Sequence, residues 1–545
     1  MRPLPQLRPE TEFFWTSGAE GVLRFQRCEP CDRVLHPPGP ACPACGGALI
    51  VAPVSGEGTV VGFTVNHQAW LPDMTPPYTI GLVALQDAPE VRLTTLIVDA
   101  APEQVEIGLP VTVRFEQHED VWLPLFAPTG DPPVSDLVAP EPEPAPVRPP
   151  VSADRFESKV ALTGIGMSEV GRRLDRDPLG LAVDACRRAV EDAGLSLADI
   201  DGLATYPGGG AQAGGHSEGG VPAVAEALAL SPTWFCGSPE TSGQGGSIVN
   251  AMLAVAAGLC RHVLCFRTVW ETTSALRARR AASGIHGGAR IAGEMEWRLP
   301  FGAMSAANWI ALQASHHMYR YGTTREQLAW IALTERKHAA NNPAAIYREP
   351  LTLDDYLAAR IITTPFGLYD CDIPCDGSVA VVVSAVETAA DLRQPPVLID
   401  AVGTQLAERH SWDQGTLRHE PLVHGPAAHL WSRSSLRPTD VDLACLYDGF
   451  SFNCLSWMEA LGFCDMGEGG AYIDGGERIT HGGDFVLNPH GGQLSAGRLH
   501  GYGFFHEAVA QLRGAAGDRQ VEGAEVAVVS TGGGHPGGCV LLTTA

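Results

Sequence analysis

The chain has 545 residues, a formal charge of −25 and only two lysines, Lys159 and Lys337. That balance repels a phosphate backbone and excludes nucleic acid as a general partner, while leaving room for a local basic patch that holds a phosphorylated cofactor. The opening "MRPLPQLRPE" lacks the apolar run of a signal peptide, and "AMLAVAAGLC" and "VAVVVSAV", the longest apolar stretches, are too short to span a bilayer; a soluble cytoplasmic protein of two to four domains is expected.

The first elements in chain order are two CxxC turns in "CEPCDRVLHPPGPACPAC". Cys28, Cys31, Cys42 and Cys45 can present four thiolates to a zinc ion with no vacancy for water, which makes the site structural; the bland reading is four unrelated thiols. The other cysteines are scattered through apolar segments and are expected to be reduced. Next come "GTVVGFTVNH", "YTIGLVALQD", "VRLTTLIVDA" and "PVTVRFEQH", rich in valine and threonine and broken by glycine and proline. They predict a small closed β-barrel. Residues 131–157 are rich in proline and acid and predict an extended linker. Beyond it a pattern of strand, helix, acidic turn and strand occurs twice, from Val160 to Asp201 and from Val397 to Asp442. Each copy carries a tyrosine five residues after its last aspartate, Tyr206 and Tyr447. Two such α/β halves need sheets covered by helices.

The stretches "GVLRFQRCEPC", "HPPGPACPACGG", "PPYTIGLVAL" and "IGLPVTVRFE" resemble the rubredoxin-like zinc hook and OB-fold domain that accompanies thiolase-like acyl-CoA proteins, over residues 12–128. An OB-fold can bind oligonucleotides, but the basic groove and stacking aromatics for that are missing here. From 158 to 545, "YDGFS", "NPHGGQLSAGRLHG" and "QLRGAAGDRQVEGA" resemble the thiolase superfamily, nearest to sterol-carrier-type thiolases and their aldolase relatives. The resemblance implies a duplicated α/β fold with α-β-α-β-α layers, an active site between the halves, and at least a homodimer. The expected division is 1–50 zinc hook, 51–130 barrel, 131–157 linker, 158–393 first half and 394–545 second half. In the resembled aldolases the zinc-hook domain belongs to another polypeptide; here it is fused.

Against the thiolase pattern the nucleophile is missing. Thiolases place a cysteine at a helix N-terminus, where its thiolate is stabilised. Aligning "ETSG" puts Glu240 there, with Cys236 four residues earlier. "YDGF" puts Gly449 at another cysteine station, Arg498 replaces the general-base histidine, and Ser530 or Thr531 replaces the second cysteine. A glutamyl anhydride would hydrolyse, so the acyl-enzyme route is lost. The glycine loops can still stabilise a thioester enolate. This implies a carbon–carbon lyase that cleaves a β-hydroxyacyl-CoA by a retro-aldol step, with a steroid acyl group pointed to by the resemblance alone. The rivals are an acyltransferase using Cys236 and a non-catalytic acyl-CoA-binding scaffold. Zinc and the CoA of the substrate are expected, and no redox cofactor.

Tyr447 is expected to relay the β-hydroxyl proton, with its pKa lowered by Arg498; the alternative is a packing tyrosine. Asp448 orients the loop. His500, near a helix N-terminus, stays neutral and donates to an oxyanion or exchanges a proton with Cα; otherwise it is tied to backbone carbonyls. Tyr502 is a second candidate acid. Arg498 holds Tyr447, a carboxylate or a phosphate, and Glu240 is either a base or a helix cap. Gly492 and Gly533 are expected beside the cofactor, with Gly533 an oxyanion N–H donor. Four arginines in 270–297 either cover the CoA phosphates or line a solvated helix. Neither lysine looks placed for a Schiff base, and His500 and His506 are poorly spaced for a metal.

Overall fold

The computed structural model describes residues 2–135, 137, 146–148, 150, 152–211, 213–281, 290–389, 391–406, 420–533 and 537–545. A short helix, α1 (Glu12–Thr16), precedes a three-stranded sheet of β1 (Arg24–Cys28), β2 (Val34–Leu35) and β3 (Leu49–Pro53), with β1 in the middle. The CxxC turns lie side by side. Cys28 Sγ is 3.4 Å from Cys45 Sγ, and Cys31 Sγ is 3.6 Å from both Cys42 and Cys45. Thiolates about 2.3 Å from one tetrahedral zinc stand roughly 3.8 Å apart, so the quartet fits a structural zinc site.

Five strands follow, β4 (Glu57–Asn66), β5 (Tyr78–Leu85), β6 (Ala88–Ile97), β7 (Pro110–His118) and β8 (Val121–Pro128). Their order is β4-β5-β6-β8-β7, and pairing of β4 with β7 closes the ring, which is the barrel expected from the alternating runs. Val60, Ile80, Leu82, Val111 and Leu123 fill its core. The barrel is docked firmly on the second unit. Trp15 of α1 stacks on Trp297 with ring centroids 4.9 Å apart, Arg8 pairs with buried Glu296 at 2.5 Å, and Asn66 of β4 pairs with Thr363 of a neighbouring short strand. At the end of the proline-rich stretch, Glu157 is buried and accepts two hydrogen bonds from Arg433, at 2.7 and 2.8 Å, so that end is anchored to the second unit.

The duplication read from the sequence is the frame of the second unit. Its first half contributes β9 (Val160–Met167), α2 (Pro178–Asp192), β10 (Gly202–Thr205), β11 (Trp234–Gly237), α3 (Gly246–Ala256), β12 (His262–Trp270), α4 (Glu271–Ala281), α5 (Ala306–Tyr321), α6 (Arg325–Ala339) and β13 (Asp376–Ala385). The second contributes β14 (Val397–Gly403), α7 (Glu420–Trp431), β15 (Leu443–Cys445), α8 (Ser451–Leu461), β16 (Val486–Leu487), α9 (Tyr502–Leu512), β17 (Val526–Thr531) and β18 (Gly538–Thr543). The strand order is β11-β10-β12-β13-β9 followed by β14-β18-β17-β15-β16, two matching five-stranded halves joined where Ala161 and Leu162 pair with Leu398 and Val397. Helix α2 starts cleanly because Asp177 caps it through Gly180 N and Pro178 fixes its first turn. It covers the outer face of the first half, α7 and α8 cover the second, and α3 and α9 lie between the halves. The layers are therefore α-β-α-β-α. Loops leaving the C-terminal ends of β10, β12, β15 and β17 meet between the halves, where open α/β sheets collect their ligands.

Candidate active site

Tyr447 follows β15 and is 9% exposed. Its N–H donates to Ser530 Oγ at 2.9 Å and its ring stands edge-on to Phe504. A Cβ on Gly449 would lie 2.7 Å from Tyr447 Cε1 and 3.3 Å from its hydroxyl, so glycine at 449 is what admits the ring. The expectation that Arg498 lowers the Tyr447 pKa is corrected. Burial, reinforced by the charge of Asp372, outweighs Arg498 and pushes the phenol above its ordinary value, so Tyr447 stays protonated.

Asp448 lies against the loop that follows Leu487. It is fully buried and accepts from Gln493 N at 2.6 Å and Leu494 N at 3.1 Å, which pins the loop at 491–496. Glu335 of α6 lies beside it and is driven well above the carboxylate range by burial and by that charge. A Cβ on Gly492 would meet Asp448 Oδ2 at 2.2 Å and Glu335 Oε2 at 2.4 Å. Gly492 is therefore glycine because two carboxyl groups fill the space beside it, and that space does not take a cofactor.

Beside these loops a cluster of charges is assembled from distant segments. Arg498 donates through Nη1 to Asp372 Oδ1 at 2.9 Å, and through Nε and Nη2 to Glu271 Oε2 at 2.9 and 2.7 Å. Burial opposes the charge on Arg498, and the two carboxylates overcome it and hold the guanidinium protonated. The backbone laces the same loops together: Asp372 N donates to Gly449 O at 3.1 Å, Ile373 N to Gln493 O at 3.0 Å, and Arg498 N to Ile373 O at 2.9 Å. His216 Nδ1 lies 3.0 Å from Glu271 Oε1. His500 sits in the left-handed region at φ 49, uncommon for a residue other than glycine.

Fully buried Arg267 of β12 donates to His500 Nδ1 at 2.6 Å. A guanidinium can only donate, so Nδ1 is bare and the neutral ring carries its proton on Nε2. Burial, then Arg267 and Arg498, depress the imidazole pKa well below its ordinary value. His500 is therefore neutral, held by Arg267 rather than by carbonyls, with Nε2–H as its free donor. His216, Glu271 and His500 approach closely enough for a metal ion, but the guanidiniums bonded to two of them oppose a second cation there.

Other expected site residues lie elsewhere. Tyr502 is fully buried with its hydroxyl 2.6 Å from Ser247 Oγ, so it packs α9 against α3. Glu240 is exposed and lines a separate cleft with Phe156, His429 and Arg433; it does not cap α3, whose N-cap residue is Gly245. Gly533 does lie against the Tyr447 ring, its carbonyl fixed by Asn453 Nδ2 at 2.9 Å. Of the four arginines, Arg290 is paired with Glu119 and Asp120 of the barrel and Arg277 lies over Trp270, while 282–289 lie outside the described residues.

Residues 423–538 match the thiolase C-terminal domain-like family, 51–116 the ChsH2 C-terminal OB-fold domain and 15–50 the ChsH2 rubredoxin-like zinc ribbon domain. The chain is 33% identical to a steroid side-chain-cleaving aldolase of Thermomonospora curvata over 70% of its own length and 97% of that protein's. It is 34% identical to a 17-hydroxy-3-oxo-4-pregnene-20-carboxyl-CoA lyase of Mycobacterium tuberculosis, over 71% of this chain and all of the other. It belongs to the side-chain-aldolase family of the thiolase superfamily. A solved Ltp2–ChsH2 aldolase superposes with a TM-score of 0.62 and 31% identity, covering 72% of this chain and 99% of that one.

In this chain the altered thiolase stations make structural contacts. Thr531 Oγ1 accepts from Gly245 N at 3.2 Å, at the mouth of the helix that carries a nucleophile in thiolases. Ser530 positions Tyr447. Cys236 lies on edge strand β11, its sulfur 3.8 Å from Asn250 Nδ2 in the second turn of α3 and away from the helix mouth. Both lysines are exposed, and Lys159 is paired with Asp154 at 2.9 Å, which leaves no desolvated amine for a Schiff base. Sequence reading missed Asp372, Glu271, Arg267 and His216. The available signals were slight: an arginine inside the apolar strand "HVLCFRTVW" and three aspartates in "YDCDIPCDG".

Proposed function

We propose that this aldolase-family chain is a CoA-dependent carbon–carbon lyase that cleaves a β-hydroxyacyl-CoA to a ketone or aldehyde and a shorter acyl-CoA. The observation that carries this reading is a buried, protonated Tyr447 beside a cluster of two guanidiniums, two carboxylates and a neutral histidine, with no cysteine thiolate in it. A retro-aldol step needs a hydroxyl to move a proton at the β-oxygen and a donor for the thioester oxygen as it becomes an enolate. Tyr447 suits the first role and His500 Nε2–H the second, with Gly533 N–H as a further donor. The step is redox-neutral and calls for no redox cofactor. The names of the two relatives support a steroid or similarly bulky acyl group.

The test is turnover of 17-hydroxy-3-oxo-4-pregnene-20-carboxyl-CoA, the compound in the mycobacterial relative's name. Cys236→Ala and Glu240→Ala are each expected to keep wild-type kcat within about twofold, because neither side chain reaches the cluster. An acyl adduct on Cys236, detected by mass spectrometry during turnover, or loss of activity in Cys236→Ala, would restore the acyltransferase reading.

We also propose a homodimer formed along β11. This strand is a sheet edge, and Phe235 on it is 66% exposed, with Leu253 and Leu259 of the neighbouring α3 region 46% and 58% exposed. Light scattering should give twice the chain mass, and Phe235→Glu should halve it; a wild-type monomer refutes the dimer. A reducing cytoplasmic setting is supported by fourteen cysteines free of disulfides, four of them gathered for zinc.

A further inference from the structure

The lyase reading leaves open where the β-hydroxyl proton goes, since Tyr447 is itself protonated and can only pass a proton on. Asp372 is the carboxylate suited to take it. Its backbone N–H is tied to Gly449 O, two residues after Tyr447, so it travels with the tyrosine loop. Arg498 holds Oδ1 from one side, while Oδ2 accepts no hydrogen bond among the described residues, although the side chain is only 8% exposed. Oδ2 is thus a free acceptor on a side chain held in place through its other oxygen, and its charge is felt by the Tyr447 phenol. We propose that Asp372 is the proton acceptor of the reaction, acting through the Tyr447 hydroxyl.

The step balances. The β-hydroxyl gives its proton to Tyr447 as Tyr447 passes its own to Asp372. The freed O–H pair becomes the C=O of the departing carbonyl product, and the Cα–Cβ pair becomes the enolate. Return of the proton along the same route to Cα completes the shorter acyl-CoA and restores the carboxylate. Charge is conserved locally: the cluster gains one positive unit as the enolate acquires its negative one. The groups facing Asp372 are Arg498, Glu271, Asp448 and Tyr447. Burial, helped by Glu271 and Asp448 and opposed by Arg498, raises its pKa to about 7, which makes it a usable base at neutral pH.

This inference rests on the lyase reading, and pH profiles of kcat/KM for the same CoA ester separate the two. The wild type should rise tenfold per pH unit below a limb near pH 7 and level off above it. Asp372→Asn should lose about 10²–10³-fold at the plateau and lose that limb, while Asp372→Glu should keep a limb with partial activity. Circular dichroism melts of the variants report folding. Should Asp372→Asn misfold, Asp372→Glu decides alone: a limb displaced from the wild-type position supports the role, and an unmoved one overturns it. Turnover by a folded Asp372→Asn with the limb unchanged overturns Asp372 as acceptor and leaves the lyase standing. A wild type inert towards the ester overturns both.

Discussion

Tyr447→Phe is expected to lower kcat for β-hydroxyacyl-CoA cleavage by about 10²–10⁴-fold, the range for losing a positioned proton-transfer group, with KM changed far less. The reason is geometric. The ring has a fitted place, made by glycine at 449 and by Phe504, and phenylalanine fills the same place without the hydroxyl. Packing is thus preserved and only the proton route is cut. A merely structural tyrosine predicts the opposite pattern, a small loss in stability with turnover intact. Steady-state kinetics and a thermal melt on one preparation distinguish the two, and near-wild-type kcat would remove Tyr447 from the mechanism.

The second large effect belongs to Arg498. Arg498→Met deletes the only donor to Asp372 Oδ1 among the described residues and two of the contacts to Glu271, leaving two buried carboxylates without their cation. Breaking a buried ion pair by removing one partner costs about 3–5 kcal/mol, much of it the burden of the stranded charge. Activity should fall with it, because Asp372 then holds its proton through neutral pH and can no longer accept one. The pH dependence gives the sign. Without the cation the folded-state pKa of Asp372, already raised by burial, rises further above its unfolded value. The folded variant then binds more protons than the unfolded chain, so its stability deficit shrinks as pH falls and grows as pH rises. Urea unfolding at pH 5.5 and 8 should show this trend. A deficit independent of pH would mean that lost packing, and not the stranded carboxylates, sets the cost. Arg498→Lys should recover part of the stability but little of the activity, since an ammonium cannot hold both carboxylates in the guanidinium geometry.

The expectations that survived and those that failed differ in a physical way. The zinc quartet could be read because its ligands are local: two CxxC turns ten residues apart suffice to bring four sulfurs together. The barrel announced itself through period-two alternation, and the duplicated half through a strand–helix–strand pattern that the matching strand orders bear out. Glu240 and Tyr502 lie off the cluster for a shared reason. A position aligned to a motif does not say which way its side chain points, and both turned away from the cluster, one to solvent and one into the α3–α9 contact.

Residue order alone established the inventory: a thiolase-like frame, a metal hook at its head, one loop bearing Tyr447 and another bearing Arg498 and His500, and the want of a sulfur at the helix mouth. Proton states were decided only by tertiary structure. Three aspartates in "YDCDIPCDG" look alike in the chain. Once folded, Asp370 is bonded to Tyr356 and Ser451, Asp376 serves Thr272 and Thr273, and Asp372 alone faces Arg498. Which acid is left half-titrated, which histidine is neutral and which tyrosine keeps its proton all depend on burial and on charges more than a hundred residues away in sequence. Desolvation and Coulomb forces act through space, and no local pattern records them.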